Sequence, residues 1–490
     1  MEDVMKNSLK YLTALTVGIG LVGSMLSCST ASKDQANLSH KDRQKIAKEA
    51  YIYGYPLVLM DMSRRVSTNV SKADAEHAPM NQFSHRDKFP DSSFREVVSP
   101  NVDTLYSIAW LDLGKGPMIL SVPNTKDRYY MLPMFDAYTN VFFSPGTRTT
   151  GNGKKDFVIV GPNHKGDVPG DLEKVQAPTD LVWILGRTKT NGVSDYKAVN
   201  SLQKQYTLTP LSEWRRVVAS FGSNKVDPFI DTTTAPAKQV ADLDGVEFFR
   251  RMSELMKTNP PADADAQVVA DMKKIGLLPG ETLRTGPLDD EMKADLIIGA
   301  KDGFREIART TKDMPGKKMN GWTYTDNIGT YKTDYLKRAA VAMGGLGANL
   351  DADAIYPHAY VDIGGDKLTG TRNYIIRFNK DQKPPVKGFW SLTVYDKDHF
   401  LVKNPINRYA LGDRDRLKYN ADGSFDIYLQ STTPGKERQA NWLPTPAGEF
   451  IVVMRMYWPD LNKINAGWVM PGIQKATSNS NLAGIPGWEE

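Results

Sequence analysis

The chain has 490 residues, of which 40% are hydrophobic and 24% charged, and its formal net charge is +5. That length exceeds one ordinary hydrophobic core and predicts two or three domains in a soluble, globular composition. Lys and Arg are spread along the chain and not gathered in blocks, so nucleic acid has no electrostatic footprint here.

The first stretch reads as a targeting signal. No charge lies between Tyr11 and Leu26, and Lys6 and Lys10 precede this run, which is the n-region and h-region of a secretory leader. Met25-Leu26-Ser27-Cys28 resembles a bacterial lipoprotein box, with methionine where leucine is usual, and predicts lipidation at Cys28. The alternative is an ordinary signal peptide cut near Ser27 or Ala31. Either way the mature protein is expected outside the cytoplasm, in the periplasm or held at a membrane by lipid. Cys28 is the single cysteine, so no internal disulfide can form. No later segment is apolar enough to span a bilayer.

Residues 29–43 are small and polar, a tether. Ser39 is a candidate N-cap for a helix in which Gly54 and Pro56 are expected to force a kink or restart. A loop over 67–91 comes next. Residues 44–190 then read as an N-terminal β module, because short apolar runs such as TLYSIAWLDL, PMILSVP and LVWILGRT alternate with turn formers. Residues 191–350 form a helical segment whose helices begin acidic and end near Lys, Gly or Pro. Residues 351–473 return to strands, and the residues after Trp468 read as a loose tail. The pattern predicts an α+β, mostly β fold: two jelly-roll-like β-barrel modules joined by helices. Nine Trp and 21 Tyr favour such an architecture and aromatic or carbohydrate-like ligands.

Standard catalytic motifs are missing. There is no GxSxG, HExxH, GxxxxGK[ST] or GxGxxG after a strand, and the six histidines are not paired at metal-ligand spacing. What remains is carboxylate, amide, phenol and guanidinium chemistry in two clusters. In the first, Asn101 opens a turn, and Asp103 and Tyr106 take opposite faces of the strand behind it. Arg128, Asp136, Tyr138, Asn140 and Arg148 come after them. Asp103 is assigned as general base or metal ligand, and Tyr106 and Tyr138 as proton donors or ligand contacts. Asn101, Arg128, Asn140 and Arg148 are assigned to ligand binding. Asp103 with Asp136 has the oxygen-rich character of a Mg²⁺ or Ca²⁺ site; the competing reading is a buried ion pair that supports the fold. In the second cluster Trp390, Asn404 and Arg408 are assigned to ligand binding on a turn-rich loop. Arg455 lies in an apolar strand, either paired inside or aimed at an anion.

These motifs carry a resemblance. FPDSSFREVVSPNVDTLYSIAWLDL with RYYMLPMFDAYTNVFFSPGTR resembles domain-of-unknown-function family 1254. GFWSLTVYDKDHFLVKNPINRYALGDR with NWLPTPAGEFIVVMRMYWP resembles family 1214, its usual companion. The resemblance implies a bacterial, often exported protein with two jelly-roll-like barrels, loosely described as a hydrolase, and brings no catalytic residue set. Two functions stay open. One is an exported hydrolase acting on a small polar or aromatic ligand in a barrel pocket. The other is a non-catalytic ligand-binding or assembly lipoprotein of the cell envelope. A carbohydrate-active enzyme is a weaker third reading.

Overall fold

The run behind Ser39 folds as a single helix, His40–Thr68, in a computed structural model that describes residues 38–95, 97–216, 224–283 and 288–476. The leader with Cys28 lies outside the described residues. Ser39 Oγ caps the helix, accepting from the Asp42 amide at 3.2 Å. The helix runs unbroken through Pro56, so the expected restart does not occur. Residues 50–63 are all buried, which suits a helix apolar on every side.

The chain divides into two compact units. Among the described residues, the first takes those up to Ser63, Thr233–Lys312 and Lys332–Gly344, and is helical. Here the long helix packs against Asp290–Lys312 across Gly299 and Gly303. A Cβ on Gly299 would stand 2.5 Å from Ala47 Cβ and 2.7 Å from the Gln44 carbonyl oxygen, so only glycine allows this approach. Asp295, on the same helix, accepts from Arg43 Nε at 2.6 Å and Gln44 Nε2 at 2.7 Å. Asp265 accepts from both the Tyr53 and Tyr335 hydroxyls, at 3.0 and 2.9 Å.

The second unit takes Arg64–Thr232, Asp313–Tyr331 and the chain from Gly345 onward. It holds two β modules, each built from a larger and a smaller sheet around one apolar core. In the N-terminal module Thr104–Asp112 pairs antiparallel with Leu181–Lys189 along its whole length. Ala109, Leu111, Val182 and Ile184 face the core against Leu120, Phe157 and Ile159 of the smaller sheet. In the C-terminal module Val386–Asp396 pairs with Phe450–Pro459. Trp390, Leu392, Val394, Val452, Met454 and Met456 enter the core there.

The sheets correct the barrel expectation. Each is open: the larger N-terminal sheet, for instance, runs from Phe83–His85 to Val141–Phe143, and these edge strands do not pair with each other. Neither module is a jelly-roll barrel. The chain is also not mostly β, since helices and strands claim nearly equal numbers of described residues. The apolar runs overstated the strands. RYYMLPMFD is interrupted at Pro133 and yields only Tyr130–Met131 and Met134–Phe135, because proline cannot donate to a ladder. At the other end the expected loose tail contributes Ile473–Lys475, which pairs with Tyr374–Phe378.

Candidate functional site

Alternation along the two long antiparallel strand pairs leaves one polar face on each module. Opposite the N-terminal core, Tyr106 lies in register with Arg187. Opposite the C-terminal core, Ser391 lies in register with Arg455, and Phe389 with Tyr457. These faces meet in a hydrogen-bonded cluster built from both modules.

Asn101 joins them. Its Oδ1 accepts from the amides of Asp103 (2.7 Å) and Thr104 (3.1 Å), fixing the turn before the strand. Its Nδ2 donates to the Tyr457 hydroxyl at 2.8 Å and, more weakly, to the Tyr106 hydroxyl at 3.3 Å. Arg187 continues the chain, with Nε 3.3 Å from the Tyr106 hydroxyl and Nη1 2.7 Å from Asn349 Oδ1. Asn349 Nδ2 donates to the Tyr356 hydroxyl at 2.5 Å. On the other side Arg455 donates to Thr393 Oγ1 (2.8 Å), the Tyr395 hydroxyl (2.6 Å) and the Ser99 carbonyl (3.0 Å).

Arg187 and Arg455 are only 6% and 5% exposed. All of their hydrogen-bond acceptors are neutral, and neither has a carboxylate ion-pair partner among the described residues. Buried guanidinium groups normally find an anion. The surrounding phenols register the charge. Burial raises the Tyr106 pKa, but the Arg187 charge, hydrogen bonds from Arg187 and Asn101, and the Arg455 charge together outweigh it and hold the phenol below its ordinary value. Tyr457 moves the opposite way, pushed well up by burial and by Tyr356, Tyr106 and Asp103. Tyr106, Tyr356 and Asn101 keep partial exposure, so solvent reaches the cluster.

Asp103 stands beside this cluster with no exposure at all. Its Oδ2 accepts from Ser391 Oγ at 2.5 Å, and its Oδ1 forms an ion pair with Arg414 Nη2 at 2.8 Å. Arg414 also donates to the Val102 carbonyl, which ties the C-terminal module to the N-terminal turn.

The other sequence-assigned positions lie in local structure. Asp136 Oδ1 accepts from the amides of Tyr138 and Asn140, each at 2.9 Å, and also engages Asn140 Nδ2. Tyr138 is buried. Arg128 makes a two-pronged pair with Asp195 at 2.6 and 2.8 Å. Arg148 Nε meets Asp353 at 2.7 Å. Trp390 packs in the core against Phe378. Asn404 Oδ1 accepts from the amides of Ile406 and Arg408, and Arg408 Nη1 donates to the carbonyls of Gln439 and Trp442. The crevice beside this loop has a volume of about 10 Å³, room for a single water. For a divalent cation, no group of three or more His, Cys, Asp or Glu able to hold one occurs among the described residues. The oxygens of Asp103 already face Ser391 and Arg414, so that carboxylate does not fit the role of cation ligand here.

Comparison with known proteins matches these faces to two families. Family models described as protein of unknown function DUF1254 and DUF1214 match residues 80–210 and 353–461. The chain carries a DUF1254-like region and, after it, a DUF1214-like region. Among solved structures, the VPA0106 protein from Vibrio parahaemolyticus is 25% identical, with a TM-score of 0.67 over 89% of this chain and 100% of its own. An uncharacterised protein from Burkholderia cenocepacia is 14% identical, with a TM-score of 0.39 over 93% of this chain and 97% of its own. No curated protein matches.

The DUF1254-like region therefore supplies Asn101, Asp103, Tyr106 and Arg187, and the DUF1214-like region supplies Tyr356, Ser391, Arg414, Arg455 and Tyr457. Sequence reasoning did not single out Arg187, although a charge inside the apolar run LVWILGRT is the signal that drew attention to Arg455. Asn349, just before the DUF1214-like region, gave no signal.

Two partly buried histidines, His85 beside Ser107 and His358 beside His399, set an expected pH response. Burial, helped by Lys204, pushes His85 down to about 4. Burial, then His399 and Arg455, push His358 down to about 4. The unfolded chain protonates both near 6.5, so between that pH and about 4 it binds more protons than the folded state. Stability from these groups is complete above pH 6.5 and is lost as pH falls, by up to about 1.4 kcal/mol per pH unit for each histidine. Urea titrations from pH 7 to pH 4.5 measure this slope, and replacing both histidines by glutamine should flatten it.

Proposed function

We propose that the chain binds a small organic anion, an aromatic carboxylate in the first instance, at the Arg187–Arg455 cluster. The reading rests on one observation: two buried guanidinium groups whose hydrogen-bond partners are all neutral, with Asp103 acting on Arg455 only through space, beside partly exposed phenols. A carboxylate would supply the missing charge, because guanidinium matches its geometry two-pronged. The rings of Tyr106 and Tyr356 would offer apolar contact next to it. With the leader read in residues 1–28, the binding would take place outside the cytoplasm, with Cys28 as a lipid anchor.

Thermal shift with benzoate and with benzyl alcohol tests this. A ligand of the native state raises the melting temperature by mass action, by the equivalent of about 2.7 kcal/mol at a hundredfold excess over Kd. Benzoate should stabilise the protein, and benzyl alcohol should not. Arg187→Gln should weaken benzoate binding at least about tenfold, the loss of one charge-assisted hydrogen bond. Equal stabilisation by the neutral analogue, or no shift with any of a panel of carboxylates, would sink the reading.

A further inference from the structure

We propose that Ser99 and His399 form a nucleophile–base pair that hydrolyses small carboxylic esters. The two residues are 300 positions apart, one in each motif, and Ser99 Oγ lies 2.9 Å from His399 Nδ1. The Ser99 amide also donates to the His399 carbonyl at 2.8 Å. Both residues have positive φ, 51° and 66°. That conformation is uncommon for residues other than glycine, and such residues cluster at functional sites.

The loop that carries Ser99 is held from the other module. Arg455 Nη2 donates to the Ser99 carbonyl at 3.0 Å, and the Tyr395 hydroxyl donates to the Pro100 carbonyl at 2.7 Å. Both clamping side chains are buried, so the hydroxyl is fixed against the imidazole before any substrate arrives. Ser99 and His399 themselves keep partial exposure. Around His399 stand His358 and Tyr360, with ring centroids at 6.3 and 6.0 Å. Asp396 and Asp398 also act on it, and burial outweighs them, holding the imidazole below its ordinary pKa and neutral at pH 7.

With its proton on Nε2, His399 accepts the Ser99 proton at Nδ1 as Oγ adds to the ester carbonyl. The adduct collapses, the ester C–O bond breaks, and the leaving alkoxide takes the proton from Nδ1 to depart as alcohol. Water then gives a proton to Nδ1 and its oxygen to the acyl carbon. The acyl–Oγ bond breaks, Ser99 regains the proton, and a carboxylic acid leaves.

The inference rests on the Ser99–His399 contact and not on anion binding at Arg187. Its test uses the whole chain with a fluorophosphonate reporter and p-nitrophenyl acetate. The reporter should attach to Ser99, mapped by peptide mass. Ser99→Gly is the informative variant, since glycine takes φ of 51° without strain, so the loop keeps its shape and loses only the hydroxyl. It should lose the label and at least about a hundredfold in ester turnover, and His399→Gln should lose a similar factor along with the pH limb of the rate. An unlabelled wild type, label on another residue, or a Ser99→Gly protein with wild-type turnover would overturn the proposal.

Discussion

Asp103→Ala is expected to lower the stability of the β unit by about 3–5 kcal/mol, read from the urea midpoint, because it breaks a buried ion pair from one side. The carboxylate is fully buried, and its partner Arg414 has a side chain only 11% exposed. Without Asp103 the guanidinium keeps the Val102 and Thr190 carbonyls but loses its countercharge. Ser391 Oγ loses its acceptor in the same step. Asp103→Asn should cost less, since an amide oxygen can still accept from Ser391. Removing both charges, as Asp103→Ala with Arg414→Met, should recover much of the loss, and the double-mutant cycle gives the coupling. A single Asp103→Ala change within about 1 kcal/mol of wild type would show that the pair does not support the fold.

Trp390→Ala should cost about 3–5 kcal/mol as a cavity-forming change. The indole is 6% exposed, and its ring centroid lies 5.5 Å from that of Phe378 and 6.0 Å from that of Phe425. Its strand neighbours Phe389 and Ser391 point the opposite way, toward the polar cluster. Benzoate should therefore still raise the lowered melting temperature of the variant by the wild-type increment. A variant of normal stability that no longer responds to benzoate would make Trp390 a ligand contact.

The sequence showed which segments alternate, and alternation is a local property. It placed the turn at Asn101, the helix behind Ser39 and the strands around Leu105 and Val452. Closure of a sheet is not local: it depends on whether distant edge strands meet, and apolar runs carry no record of that. The site divides in the same way. Tyr106 and Asp103 stood out because polar groups are rare inside such strands. Arg187, Ser391 and Tyr457 become meaningful only through partners more than eighty positions away. Ser99 and His399 sit in separate motifs 300 positions apart, and nothing in the sequence pointed one at the other.

The joint through Asn101, Asp103 and Ser99 sets an order on how the protein is made. Its bonds close only when residues 391–457 have emerged, about three hundred positions after the turn they hold. Contacts of such separation form late because loop closure must come first. A chain stopped after residue 210 would keep its apolar core but leave Asp103 facing no arginine from the second module. The DUF1254-like region is thus half of a joint that only the DUF1214-like region completes.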